Sequence, residues 1–93
     1  MKVNFNRFYR IFSGLDDATM DALWDGLESI DTTYMDDPYD AKSCINDILY
    51  DIIEEHHQEM VDWYEEDCGW IDDDDIIVEY ICDLLFDEDI VSL

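Results

Sequence analysis

At 93 residues the chain is of single-domain size, and its 27 acidic against 4 basic side chains give a formal charge of −23, which excludes a protein that binds nucleic acid or an anionic membrane through its own charge. A hydrophobic content of 48% with 14% aromatics, one proline and three glycines excludes a disordered polyacid, because such chains lack the apolar residues needed to offset chain entropy. No run of about 20 apolar residues is present to cross a membrane, so the chain reads as a folded core inside an acidic shell.

The charge is unevenly placed. Lys2, Arg7 and Arg10 fall in a first stretch of ten residues with no acid, so residues 11–93 set all 27 acids against Lys42 alone, a net of −26. The basic residues of "MKVNFNRFYRIF" alternate with apolar ones, unlike the separate apolar block of a secretory signal. Cys44, Cys68 and Cys82 are odd in number and form no CxxC, which suits reduced thiols in a cytoplasm.

In chain order, Phe5, Phe8, Tyr9 and Phe12 recur at i, i+3, i+4 and i+7, one face of a helix that Ser13-Gly14 closes. Met20, Leu23, Trp24, Leu27 and Ile30 repeat the pattern, with Asp16 or Asp17 as cap. Asp17, Asp21, Asp25 and Glu28 occupy another face, and Gly26 weakens this helix without breaking it. "DTTYMDDP" reads as a loop, and Asp37-Pro38 as a helix start. From there Ala41, Ile45, Ile48, Leu49, Ile52, Ile53, His56, Met60 and Trp63 keep helical spacing up to Gly69. The spacing predicts one long helix over about 38–66, roughly 40 Å at 1.5 Å per residue, with a bend at "EEHHQE" as the variant.

A short link after Gly69 leads to "IDDDDIIV", where Asp72, Asp73, Asp74 and Asp75 meet the start of a last helix marked by Ile77, Tyr80, Ile81, Leu84 and Leu85. Carboxylates there can cap free amides and face the positive end of the helix dipole. "IIVEYI" also suits a strand, but the apolar spacing runs on through Leu85 and favours the helix. The expected fold is all-α: a compact bundle of three to four helices with one long central helix, in a single acidic domain over 1–93. Its expected core is Leu23, Leu27, Ile45, Ile48, Leu49, Ile52, Ile81 and Leu84.

Catalytic and metal motifs find little support. Glu54 and His57 match the ExxH spacing of di-iron bundles, but such a site needs a second pair that the two histidines cannot supply. One histidine partly buried and one solvated is the simpler expectation. No stretch has the glycine and glutamate placement of a calcium-binding EF-hand loop, and no serine lies in a GxSxG elbow. A cysteine–histidine pair brought together by the fold stays open, although a thiolate among carboxylates is raised in pKa, the wrong direction for a nucleophile. The chain is therefore expected to be no enzyme and to carry no metal or cofactor. Most of the aromatics read as core. Trp70 and Tyr34 fall in loops and are the candidate exposed anchors for a partner.

The acids form rows instead. Asp75, Glu79, Asp83 and Asp87 are four residues apart, about 6 Å per step along a helix. Asp40, Asp47, Asp51, Glu54, Asp62 and Glu65 make a second, more scattered line on the long helix, and Asp72, Asp73 and Asp74 add charge at the head of the first. Phosphates of one DNA strand advance about 3.4 Å per step, so rows of this kind suit a groove lined with lysine and arginine.

The stretches "DDPYDAKSCINDILYDIIEEHHQEMVDWYEED" and "WIDDDDIIVEYICDLLFDED" resemble the small acidic DNA-mimic proteins encoded by phages. These include the Ocr-type and Arn-type anti-restriction proteins and some anti-CRISPR proteins. The resemblance lies in size and dense acidity over nearly the whole chain, without an aligned motif. It implies surface carboxylates standing in for phosphates and a basic host DNA-binding partner: a restriction nuclease, a nucleoid protein or a Cas effector. It also implies action in the host cytoplasm and no direct nucleic-acid or membrane binding. The basic first ten residues depart from the pattern; they pack back on the acidic body or enter a homodimer interface. Three other readings stay open: an acidic adaptor or chaperone for a basic protein, a halophilic origin, and a shell for solubility alone. Solubility needs a net charge of only about 2–8 in magnitude.

Overall fold

Side-chain caps decide where most of the helices begin. In the computed structural model, which describes residues 2–31, 37–70 and 73–92, Asn4 accepts a hydrogen bond from the Arg7 amide at 3.1 Å and starts α1, Phe5–Phe12. Asp16 accepts from the Thr19 amide at 3.2 Å and starts α2, Asp17–Glu28. Asp37 accepts from the Tyr39 amide at 2.9 Å before α3, Pro38–Glu55. Asp73 accepts from the Asp75 amide at 3.0 Å before α5, Asp74–Asp87. Each cap satisfies an amide that the first turn leaves without a carbonyl. Between α3 and α5 lies α4, His57–Cys68, which has no side-chain cap. Two short strands, β1 at Lys2–Val3 and β2 at Val91–Ser92, pair antiparallel in the register Lys2↔Ser92 and Val3↔Val91.

The chain is thus mainly helical, but with five helices and one small strand pair among the described residues rather than three to four helices. The long central helix is the main correction. It breaks at His56, where φ −124° and ψ 41° leave the helical region. Helical bonding continues on both sides, from the His56 amide to the Ile52 carbonyl at 2.8 Å and from the Met60 amide to the His56 carbonyl at 3.1 Å. The physical reason is length against core. A straight helix over 38–68 measures about 46 Å, whereas the longest dimension of the protein is 37 Å. Breaking at His56 keeps Met60 and Trp63 buried. The Trp63 ring then lies 5.3 Å from that of Phe12 and 5.9 Å from that of Tyr80. The radius of gyration is 12.5 Å, close to the roughly 12 Å of a compact globule of this length.

The core is one cluster running from Phe8 to Val91, with α3 packed against α2, α4 and α5. Leu23, Leu27, Ile45, Leu49, Ile52 and Ile81 are buried as expected, but Ile48 and Leu84 are only partly so. Ile77, Val78 and Leu85 bury the other half of the α5 stripe. In α1 only Phe8 and Phe12 go inside, while Phe5 and Tyr9 stay more than half exposed. Residues 76–82 are helix, so the β-forming composition of "IIVEYI" yields to its apolar spacing.

The two ends clasp each other. Beyond the strand pair, the Asn4 amide donates to the Ile90 carbonyl at 2.7 Å. Arg7 Nη1 donates to the Glu88 carbonyl at 3.2 Å and lies 3.5 Å from Asp89 Oδ2. Asp89 takes the left-handed position that closes α5, at φ 53°. The Ile90 amide then bonds back to the Leu85 carbonyl at 3.0 Å, and Ile90 is fully buried, as in a Schellman ending. The basic N-terminal segment thus packs back on the acidic body.

Gly26 is needed for packing. A Cβ there would sit 2.5 Å from Ile48 Cγ2, so α2 and α3 approach through the missing side chain. Gly26→Ala gains about 1 kcal/mol of helix propensity but overpacks the contact, at about 1–3 kcal/mol. We expect a net loss of stability in urea denaturation. A more stable variant would mean that the α2–α3 contact relaxes freely.

Candidate functional site

The row on α5 forms as the spacing requires. Asp75, Glu79, Asp83 and Asp87 are all exposed on one helix and span about 18 Å. Asp87 borders Arg7 and Arg10 across a surface hollow, which weakens the negative field at that end. The second row is split. Asp40, Asp47, Asp51 and Glu54 are exposed on α3, whereas Asp62 and Glu65 lie on α4 beyond the break. The scattered line of six acids on one long helix is therefore corrected to four on one helix and two on the next. Asp62 accepts a hydrogen bond from Gln58 Nε2 at 2.8 Å, and Glu65 is half-buried.

The aspartate run has structural duties of its own. Asp73 caps α5. Asp74 Oδ1 lies 3.0 Å from His57 Nε2 of α4. Asp75 Oδ1 accepts from the Tyr50 hydroxyl of α3 at 2.5 Å. Consecutive carboxylates thus tie the head of α5 to both neighbouring helices. At Asp75 a neutral donor, the Tyr50 hydroxyl, takes the place that a cation fills in an ordinary protein. Asp72 and Tyr34 lie outside the described residues. Glu79 and Asp83 make no hydrogen bond or ion pair among the described residues and remain solvated.

Across the described residues a single aspartate–arginine pair forms, Arg7 with Asp89, both well exposed. Lys42, the one cation beyond residue 10, sits with its Nζ 5.3 Å from the centre of the Phe86 ring. Away from Arg7 and Arg10, Lys42 is therefore the one cation set against the acidic face. His56 is half-buried at the α3–α4 joint and His57 is exposed. Glu54 and His57 fall on different helices, and no group of three His, Cys, Asp or Glu side chains among the described residues is arranged to hold a metal ion. No described helix is long and apolar enough to cross a membrane.

A feature the spacing analysis missed is a groove of about 400 Å³ between α3 and α5. Tyr39, Asn46 and Tyr50 line it from α3, and Asp75, Glu79 and Asp83 from α5. Asn46 Oδ1 is buried without a hydrogen-bond donor among the described residues, a condition that costs about 1–3 kcal/mol. The signal was present in the polar stripe Tyr39, Ser43, Asn46 and Tyr50, which recurs at helical spacing opposite the apolar face. Burial pushes the Cys82 thiol of the same groove up, with Asp83 adding to the shift and Lys42 opposing it. That favours an inert thiol over a nucleophile. Trp70 is 81% exposed, consistent with its loop position.

No protein-family model matches this chain, and neither a curated protein nor a solved structure shows significant similarity to it.

Structural and solvated carboxylates should separate on mutation. Asp73→Ala removes a cap and should cost about 0.5–2 kcal/mol, while Asp83→Ala should stay within about 0.5 kcal/mol of the parent; urea denaturation measures both. Equal effects would mean that the cap contributes nothing special.

The hydrogen bond to Asp75, then burial and the charges of Asp75 and Asp73, raise Tyr50 above its ordinary 10.0. A raised folded value stabilises below the unfolded value and is lost as pH climbs through the folded one. In an alkaline absorbance titration, Asp75→Ala should return one tyrosine towards 10.0. Tyr80, pushed up to about 12 by the Cys68 thiol and by burial, should not move. An unchanged titration would show that the Tyr50–Asp75 bond does not persist in solution.

Proposed function

We propose that this protein is a DNA-mimic inhibitor. It occupies the DNA-binding surface of a basic host protein with solvated carboxylates of α5 and α3, and it catalyses no reaction. The observation that carries the proposal is the exposed row Asp75, Glu79 and Asp83, which has no basic partner among the described residues. A net of −26 over residues 11–93 far exceeds what solubility needs, a magnitude of about 2–8. The self-repulsion it creates opposes folding, so a use outside the fold is the economical account. Asp40, Asp47, Asp51 and Glu54 extend the negative surface along α3. The resemblance to phage anti-restriction proteins supports the same class of partner, a restriction nuclease, nucleoid protein or Cas effector in the host cytoplasm. A homodimer would lengthen the acidic face.

The partner's lysines and arginines would meet the surface they ordinarily present to phosphate, and the association would share the salt sensitivity of DNA binding. The test is capture from a bacterial lysate on the immobilised protein, compared with Glu79→Lys/Asp83→Lys. Those positions leave the Asp73–Asp75 ties intact. We expect DNA-binding proteins to be retained by the parent, released by salt, and reduced at least about tenfold on the double variant, since each lost contact becomes a repulsion. Retention unchanged by the reversal would remove the α5 row from the interface.

A further inference from the structure

We propose that the groove between α3 and α5 is a binding site for an arginine side chain of the basic partner, so that the partner is recognised by its guanidinium as well as by its positive charge. This rests on the proposed role of the acidic face and deepens it.

Two kinds of group face each other across this groove. Asp75, Glu79 and Asp83 supply carboxylate oxygens from α5, while α3 supplies Tyr39 and Tyr50, which are 73% and 43% exposed. Asn46, with its buried and undonated Oδ1, lies between the tyrosines on the same helix. The volume of about 400 Å³ is at the small end for ligand clefts, which suits one long side chain better than a folded element.

A guanidinium fits this set of groups. It is planar, carries five N–H donors and accepts nothing. It pairs with carboxylates two bonds at a time, stacks on aromatic faces and gives up water more readily than an ammonium does. A lysine would satisfy the charge but neither the stacking nor the forked hydrogen bonding. Lys42 also lines the groove, drawn towards the Phe86 ring. Three carboxylates against that one lysine leave a local charge of −2, enough to attract one further cation. Asp75 keeps its acceptor role to Tyr50, so Glu79 and Asp83 are the carboxylates available for pairing.

The test uses the full chain, an arginine-rich synthetic peptide and its lysine counterpart of identical length and spacing, with affinities measured by calorimetry at low salt. The arginine peptide should bind about tenfold more tightly. Tyr39→Ala, at an exposed position, should abolish that preference, leave the lysine affinity unchanged and preserve the helical circular dichroism. Equal affinities for the two peptides would overturn the groove proposal while leaving charge-based partner binding intact. A preference that survives Tyr39→Ala would overturn the assignment to this groove. Binding of neither peptide would overturn both this inference and the proposed function.

Discussion

Uncompensated negative charge around a small apolar core is the constraint on which the rest of the structure depends. With 27 acids and 4 bases, lysine and arginine cannot pair most of the acids, and the described residues contain one aspartate–arginine pair. The fold handles the remaining charge in three ways. Asp16, Asp37 and Asp73 cap helices, where amides and the dipole favour an anion. Hydrogen bonding from Thr19 holds Asp16 below its ordinary 3.8. Asp62, Asp74 and Asp75 use neutral or titratable neighbours, namely Gln58, His57 and Tyr50. Others, Glu79 and Asp83 among them, face water. Attraction between elements has to come from apolar contact, which is why the core cluster runs through nearly the whole chain.

The same constraint explains where the cations sit. Lys2, Arg7 and Arg10 are spent at the junction of the chain's two ends, where β1 meets β2 and Arg7 reaches Glu88 and Asp89. A basic segment there offsets repulsion among the acids Asp87, Glu88 and Asp89 at the end of α5. It leaves the middle of the α3 and α5 surfaces acidic except for Lys42. Charge is thus neutralised where closure of the fold requires it and left exposed elsewhere.

Much of this was legible in the residues, and the failures have physical causes. Asp37-Pro38, Asp16 and the aspartate run marked real helix starts because capping is a local interaction between neighbouring atoms. Spacing identified the buried faces of α2, α3 and α5 for the same reason. The break at His56 was legible only as the variant, a bend within "EEHHQE". Ile52, Ile53, Met60 and Trp63 keep helical spacing straight through it, with no proline or glycine nearby. Only the size of the core decides that α4 must turn. Ile48 and Leu84 lie at the margins of their stripes, where helical phase alone does not fix depth. The strand pair was missed because two residues of β1 and two of β2 carry no pattern, and their pairing joins opposite ends of the chain. The α5 acids were identified as a row, but their division into tethering and solvated members depends on Tyr50 and His57, which only tertiary packing brings near.

The division carries the functional account. Tethering aspartates answer to the fold, and the solvated acids of α5 and α3 answer to nothing inside the molecule. The most direct measurement is competition for a captured DNA-binding protein between labelled duplex DNA and this chain, followed by fluorescence anisotropy. Mimicry requires that increasing chain displace the duplex completely, with an apparent duplex affinity that falls in proportion to chain concentration. A ternary complex, in which the partner holds duplex and chain together without either weakening the other, would contradict the account and identify the chain as an acidic adaptor.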